Sequence, residues 1–238
     1  MAQKKLTFED VTQLYFDTKQ SMIVPGNWMR FLETAGQNYR LPYDEQVLVY
    51  AQRPDTTALL TTEGWNRRFG RWINRGAAGI AVLDLSRGIG RLKYYFDISD
   101  THSCKHSRLV PVWKVYPEFH GAAVNALENS FGPLADKSSL MTAIWSSAQQ
   151  ILEDNFERYW EMLLDVKDDS SLVDTPELLL RQTYRDLLEL SVVYCTAARC
   201  GLDADQFIRP DDFAAIARFD TLETINGLGV PTASMTRA

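Results

Sequence analysis

One change of hydrophobic period constrains this chain more than any other feature. Up to about Phe69 the apolar residues recur at helical spacing, but beyond Gly70 the pattern alternates. Leu92, Tyr94, Phe96 and Ile98 fall on one face, and Arg91, Lys93, Tyr95 and Asp97 on the other. Such alternation predicts a half-buried strand. The apolar run Ile80 to Leu85 is its natural partner, and the turn-rich Ser86-Arg87-Gly88-Ile89-Gly90 joins the two into a β-hairpin. A further extended piece over Leu109 to Tyr116 is expected at a sheet edge, because Pro111 lacks a ladder donor.

Helices are expected on both sides of the hairpin. Thr7 and Asp10 have capping-box spacing, which starts a first helix running to about Lys19. After Pro25-Gly26, Asn27 caps a short second helix that Gly36 closes in a left-handed turn. A third helix spans Asp44 to Gln52 before Pro54, and a fourth spans Thr61 to Phe69 with Gly70 as its stop. From about Phe119 the pattern is almost wholly helical. Leu152, Phe156, Tyr159 and Leu163 mark one amphipathic face, and Thr175-Pro176 opens another helix that ends near Gly201. The fold class expected is α+β: N-terminal helices with a β-hairpin or small antiparallel sheet, then a mainly α-helical C-terminal part. The seam falls between Tyr116 and Gly132, so residues 1–122 form one module and residues 123–238 an acidic helical one.

Charge divides along the same line. Between Ala51 and Lys93 stand eight arginines and lysines against three acids, a local +5 in a chain of net charge −6. Between Ile151 and Leu190 there are eleven acids and four bases, a local −7. A pI near 5.2 argues against coating duplex DNA with the whole surface, so any nucleic-acid contact belongs on one face. No apolar run reaches the roughly 18 residues a bilayer span needs. Three scattered cysteines make no disulfide framework, and the expected location is a bacterial cytoplasm.

Basic residues interleaved with aromatics supply what single-stranded nucleic acid requires, cations for phosphates and flat rings for bases. Arg67, Arg68, Arg71, Arg75, Arg87, Arg91 and Lys93 are the candidate phosphate contacts. Trp72 and Tyr95 are the candidate stacking planes, Tyr95 because strand parity sets it beside Arg91 and Lys93. Gly76 and Gly79, in Arg75-Gly76-Ala77-Ala78-Gly79, shape the turn and permit a positive φ and close backbone approach. The competing expectation is that Trp65, Trp72 and Tyr94 are core residues and the arginines solvate the outer face.

Other chemistries find no motif. There is no H-E-x-x-H, G-x-S-x-G, phosphate-binding P-loop or dinucleotide fingerprint, so no enzyme is expected. His102, Cys104 and His106 would share one side of a strand, but three ligands need a fourth and Lys105 and Arg108 beside them oppose a cation. No metal or cofactor is expected.

Tyr43-Asp44-Glu45-Gln46-Val47-Leu48-Val49-Tyr50-Ala51-Gln52-Arg53-Pro54, Trp65-Asn66 and Trp72 to Ile80 resemble the N-terminal region of large proteins carried on conjugative elements of Firmicutes, which often continue into methylase and helicase segments. The helical part is similar to the same family through Tyr194-Cys195, Arg199-Cys200-Gly201-Leu202-Asp203, Asp211-Asp212-Phe213 and Thr221 to Gly229. Over about Gln37 to Ser99, Gln46, Trp65 and Arg75-Gly76-Ala77-Ala78-Gly79 also resemble the N-terminal domain of ArdC-type antirestriction proteins. That resemblance implies single-stranded DNA binding; the H-E-x-x-H protease half of that family is absent. The ending at Met235-Thr236-Arg237-Ala238 shows no closing element, so the expectation is either a truncated gene product or a fragment of a longer protein. The leading expectation is non-enzymatic, sequence-tolerant binding of single-stranded DNA for a mobile element or in antirestriction. The alternative is a protein-interaction or DNA-mimic module working through the acidic helices, docked on a protein partner or on further domains.

Overall fold

A computed structural model describes residues 6–85, 90–111 and 114–238. The architecture is α+β with a helical majority. Helix α1 (Phe8–Ser21) starts as its sequence requires: Thr7 Oγ1 accepts the Asp10 N–H at 3.1 Å, and Asp10 returns a carboxylate oxygen to the Thr7 N–H at 2.8 Å. Helix α2 (Pro25–Gln37) begins two residues before Asn27, with Pro25 at the first turn where no N–H is needed. It also runs through Gly36 rather than ending there. A Cβ on Gly36 would stand 2.4 Å from the Cys195 carbonyl oxygen, so this glycine is a notch for another helix, not a cap.

Helix α3 (Tyr43–Gln52) is followed by strand β1 (Leu59–Leu60) and a short helix α4 (Thr62–Gly64), which widens into a π-helical turn over Trp65–Phe69. Gly70 ends that turn at φ 61°, a left-handed conformation that favours glycine. Strand β2 (Arg71–Ile73), strand β3 (Ile80–Asp84), strand β4 (Arg91–Asp97) and strand β5 (Thr101–Ser103) follow. The expected hairpin is β3 with β4, antiparallel, with Ile80 opposite Tyr95 and Asp84 opposite Arg91; β1 adds to the far side in the order β1-β4-β3. Its tip, with Arg87, lies outside the described residues. The open edge of β3 is closed by a side chain: Gln52 Nε2 donates to the Ala81 carbonyl at 2.8 Å, and Oε1 accepts the Ala81 N–H at 3.0 Å.

Two short elements carry no signal in the hydrophobic pattern. Strands β2 and β5 pair into a separate ribbon, with Trp72 opposite His102. Conversely, Leu109–Pro111 and Lys114–Tyr116 form no strand, and Val112 and Trp113 lie outside the described residues. The Val115 N–H instead bonds the Cys200 carbonyl at 2.8 Å, which ties this segment to a helix end.

The helical part comprises α5 (His120–Phe131), α6 (Leu140–Leu164), α7 (Glu177–Cys200) and α8 (Leu222–Arg237). Gly201 ends α7 at φ 73°, as its position implies. Among the described residues no helix is long and apolar enough to cross a membrane.

The main core is continuous across the expected seam. Trp28, Phe31 and Leu32 of α2 pack in the same cluster as Phe156, Trp160, Tyr184 and Leu188 of the helical part. Trp28 Nε1 donates to Ser191 Oγ at 3.0 Å, which satisfies the one polar atom of a fully buried indole. A smaller cluster of Val11, Leu48, Val49, Ile80, Val82 and Tyr95 sets the β3–β4 hairpin on α1 and α3.

Asp97, at the end of β4, holds the approach to β1. Its carboxylate accepts the N–H groups of Thr57 at 2.8 Å, Ala58 at 3.1 Å and Ser99 at 2.9 Å. Burial pushes the carboxyl up, but these donors outweigh it and hold its pKa below the ordinary 3.8. A depressed folded pKa gives stability that is present above the unfolded value and lost as pH falls through the folded one. Asp97→Asn is expected to lower the unfolding free energy by about 1–3 kcal/mol at neutral pH. The gap between the two proteins, read by urea denaturation, should hold down to about pH 4 and close below it.

The notch at Gly36 gives a second outcome. In an exposed helix interior, Gly→Ala stabilises by up to about 1 kcal/mol. Gly36→Ala should instead destabilise by about 1–3 kcal/mol in the same measurement, because the methyl meets the α7 backbone.

Candidate nucleic-acid interface

The expected site residues separate into three groups. Arg91, Lys93 and Tyr95 share the face of β4 that α1 and α3 cover at its Tyr95 end, while its Arg91 end stays open to solvent. Tyr95 is only 7% exposed, and its hydroxyl donates to Glu45 Oε2 at 2.7 Å. Burial, with Glu45 adding to it, pushes this phenol well above its ordinary range. Lys93 Nζ contacts the same hydroxyl, sits 3.4 Å from Glu45 Oε1 and lies 4.4 Å from the Tyr95 ring centroid. The expectation that Tyr95 offers a stacking plane is therefore corrected. Parity groups it with Arg91 and Lys93, but the helix-side Glu45 makes that polar face an inner one at the Tyr95 end. Arg91 remains exposed at the start of the strand.

The second group is held by its own backbone. Arg71 donates Nε–H to Thr101 Oγ1 at 2.7 Å and a terminal N–H to the Thr101 carbonyl at 3.1 Å, which fastens β2 to β5. Its half-buried guanidinium thus commits two of its five N–H donors to clamping the ribbon. Gly79 is not in the left-handed region; it lacks a side chain because a Cβ would stand 2.9 Å from Phe96 Cζ. Gly76 does adopt φ +86°, in the turn that the Ala77 N–H closes on the Asn74 carbonyl at 3.1 Å, with open space around it.

The third group comes together at the surface of the β2–β5 ribbon. The π-helical turn sends Trp65 inward, fully buried with Nε1–H donated to the Phe96 carbonyl at 2.8 Å, and leaves Arg67 and Arg68 exposed. Arg67 pairs with Glu63 at 2.8 Å, an exposed pair worth little in water. Trp72, the centre of the ribbon, is 54% exposed. Arg75 is exposed beyond it. At the other end the chain after β5 folds back on the π-helical turn: the Arg108 N–H bonds the Phe69 carbonyl at 2.9 Å, and Ser107 Oγ bonds the Gly70 carbonyl at 2.7 Å.

That return brings the Arg108 backbone to Phe69, the neighbour of Arg68, and the returning segment carries exposed Lys105 and Arg108, two cations that the hydrophobic pattern does not single out. A signal for them exists, since both stand in the short segment that also carries His102, Cys104 and His106. His102 Nδ1 lies 2.9 Å from Asn74 Oδ1 across the ribbon. Among the described residues no three histidines, cysteines or acids come close enough to hold a metal ion.

Next to Arg68 opens a cleft of about 570 Å³ between the end of α2 and the β1 approach. Arg40, Arg68 and Arg199 line it, and among the described residues no acid does. The Arg199 guanidinium lies 3.8 Å from the Tyr39 ring centroid and donates to the Thr236 carbonyl at 2.7 Å. These residues come from three distant parts of the chain, which no local pattern joins.

No family model, no curated protein and no solved structure matches the chain.

Proposed function

We propose that this protein binds single-stranded DNA without sequence preference and without chemistry of its own, in the mobile-element or antirestriction setting that its resemblance to the ArdC-type and conjugative-element proteins implies. The observation that carries the reading is Trp72. A large indole left 54% exposed at the centre of a narrow ribbon, whose flanking segments carry the exposed Arg68, Arg75, Lys105 and Arg108, offers a plane for a base on a stretch rich in cations for phosphates. Stacking on such a ring is worth about 1–3 kcal/mol per base. The cations give salt-dependent attraction that needs no sequence.

A second reading keeps one observation of its own. The ion pairs Arg181–Glu157 and Arg185–Glu153 set α6 and α7 antiparallel, so Met162, Leu178 and Leu179 lie toward one end of the acidic bundle; Leu178 is 82% exposed. An apolar edge on an acidic body suits a protein partner.

Anisotropy of a labelled, unstructured oligonucleotide, titrated at two salt concentrations with a duplex competitor, separates the readings. Single-strand binding should weaken with salt and resist the duplex. Trp72→Ala should weaken it roughly 5- to 150-fold, the equivalent of one missing stack. Arg75→Glu with Lys105→Glu should flatten the salt slope by about 0.7 for each phosphate that is no longer neutralised. Binding that neither change alters would remove the ribbon from the site, and no binding at low salt would favour the protein partner.

A further inference from the structure

The arginine-lined cleft beside the ribbon has a chemistry of its own. In a chain of net charge −6 it gathers three guanidinium groups and, among the described residues, no carboxylate. Its volume of about 570 Å³ falls in the usual range of small-molecule sites, roughly 300–1,000 Å³. Beside the polar Gln37, Asn38 and Thr57, one part of its wall is apolar or aromatic, with Leu41, Leu59, Phe69 and Pro111 next to the buried Trp65. A ligand that satisfies both halves is a flat, largely apolar ring joined to a polyanion.

The cations differ in kind. Arg199 is fixed in advance, held by the Thr236 carbonyl and the Tyr39 ring, so little ordering is left for binding. Arg40, whose Nε–H lies 3.0 Å from the Tyr39 hydroxyl, and Arg68 are exposed at the rim. Guanidinium groups match phosphate oxygens with paired, charge-assisted hydrogen bonds.

We propose that this cleft binds one nucleoside phosphate unit, its base against the Phe69 side and its phosphate at Arg40 and Arg68. The inference rests on the nucleic-acid reading for its source, which is the strand lying on the ribbon. Arg68 is the link, since it lines the cleft and precedes Phe69, whose carbonyl the Arg108 N–H bonds where the chain after β5 folds back. The strand would then be gripped twice, by a stack on Trp72 and by one inserted nucleotide.

Saturation-transfer NMR with dAMP as the probe tests the cleft, run beside oligonucleotide anisotropy on the same proteins. Two variants address it. Arg40→Ala removes an exposed cation whose side chain bonds its neighbour Tyr39. Ala58→Phe places a ring in the cleft wall while leaving the Ala58 backbone bonds to Asp97 and Ile98 available. Base protons of dAMP should receive saturation from the wild-type protein. The dAMP dissociation constant should rise about tenfold in Arg40→Ala, transfer should vanish in Ala58→Phe, Trp72→Ala should keep it, and unlabelled oligonucleotide should displace dAMP. No transfer from the wild-type protein, or transfer that both variants leave unchanged, overturns the inference, and oligonucleotide binding then stands or falls on the ribbon alone. Transfer to dAMP with no oligonucleotide binding upholds the nucleoside phosphate and overturns the strand as its source.

Discussion

The contact on which the rest of the structure depends is the docking of α2 on α7. Gly36 brings the two backbones within a distance that any side chain would forbid, and Trp28 closes the same interface with a buried hydrogen bond to Ser191. Because α2 leads through Tyr39 and Arg40 toward α3, this one contact sets the sheet-bearing part against the helical bundle. It also brings Arg199, at the end of α7, onto Tyr39. The cleft exists because these two helix ends meet there.

A second tie runs through a charge. Lys19 is 1% exposed, and its ammonium donates to Asn226 Oδ1 at 2.6 Å, reaches Asp44 at 3.2 Å and contacts the Tyr15 hydroxyl. Burial pulls its pKa down and Asp44 pulls it partly back. The group thus joins α1, α3 and α8 at a point where an apolar side chain would leave Asn226 without its donor. Gly229 of the same helix leaves room for the Tyr43 ring, where a Cβ would lie 2.0 Å from Tyr43 Cε2. Positive charge is divided in the same way between frame and surface. Arg53, bonded to Asp100 at 2.7 Å, ties the end of α3 to the turn between β4 and β5, and Arg71, bonded to Thr101, joins β2 to β5; Arg68, Arg75, Lys105 and Arg108 are exposed. The local excess of base counted along the sequence is therefore larger than the excess offered to a ligand.

What is legible in the sequence is what is encoded locally. The Thr7–Asp10 cap, the stops at Gly70 and Gly201 and the β3–β4 pairing each depend on residues close together in the chain. Gly36 has the look of a cap because its real partner, Cys195, lies far along the sequence. Tyr95 shows the limit of parity, which tells which residues share a face but not which face a helix will cover. The β2 and β5 strands are three residues each, too short to show a period, and their pairing joins segments some thirty residues apart. Trp72 stands out in the sequence as an aromatic among arginines; Lys105 and Arg108 do not, because only the fold returns their segment to Phe69 and Gly70 at the start of β2. Tyr39, Arg40 and Arg199 share no common signal at all.

The measurement that bears most directly on the central claim is photocrosslinking of an oligonucleotide carrying 5-iodouracil, followed by mapping of the joined peptides. A stacked iodouracil reacts with the ring it lies against, so the ribbon account predicts crosslinks at Trp72 that disappear at high salt along with binding. Crosslinks confined to the acidic helices α6 and α7, or an even scatter over the surface that salt does not change, would contradict it.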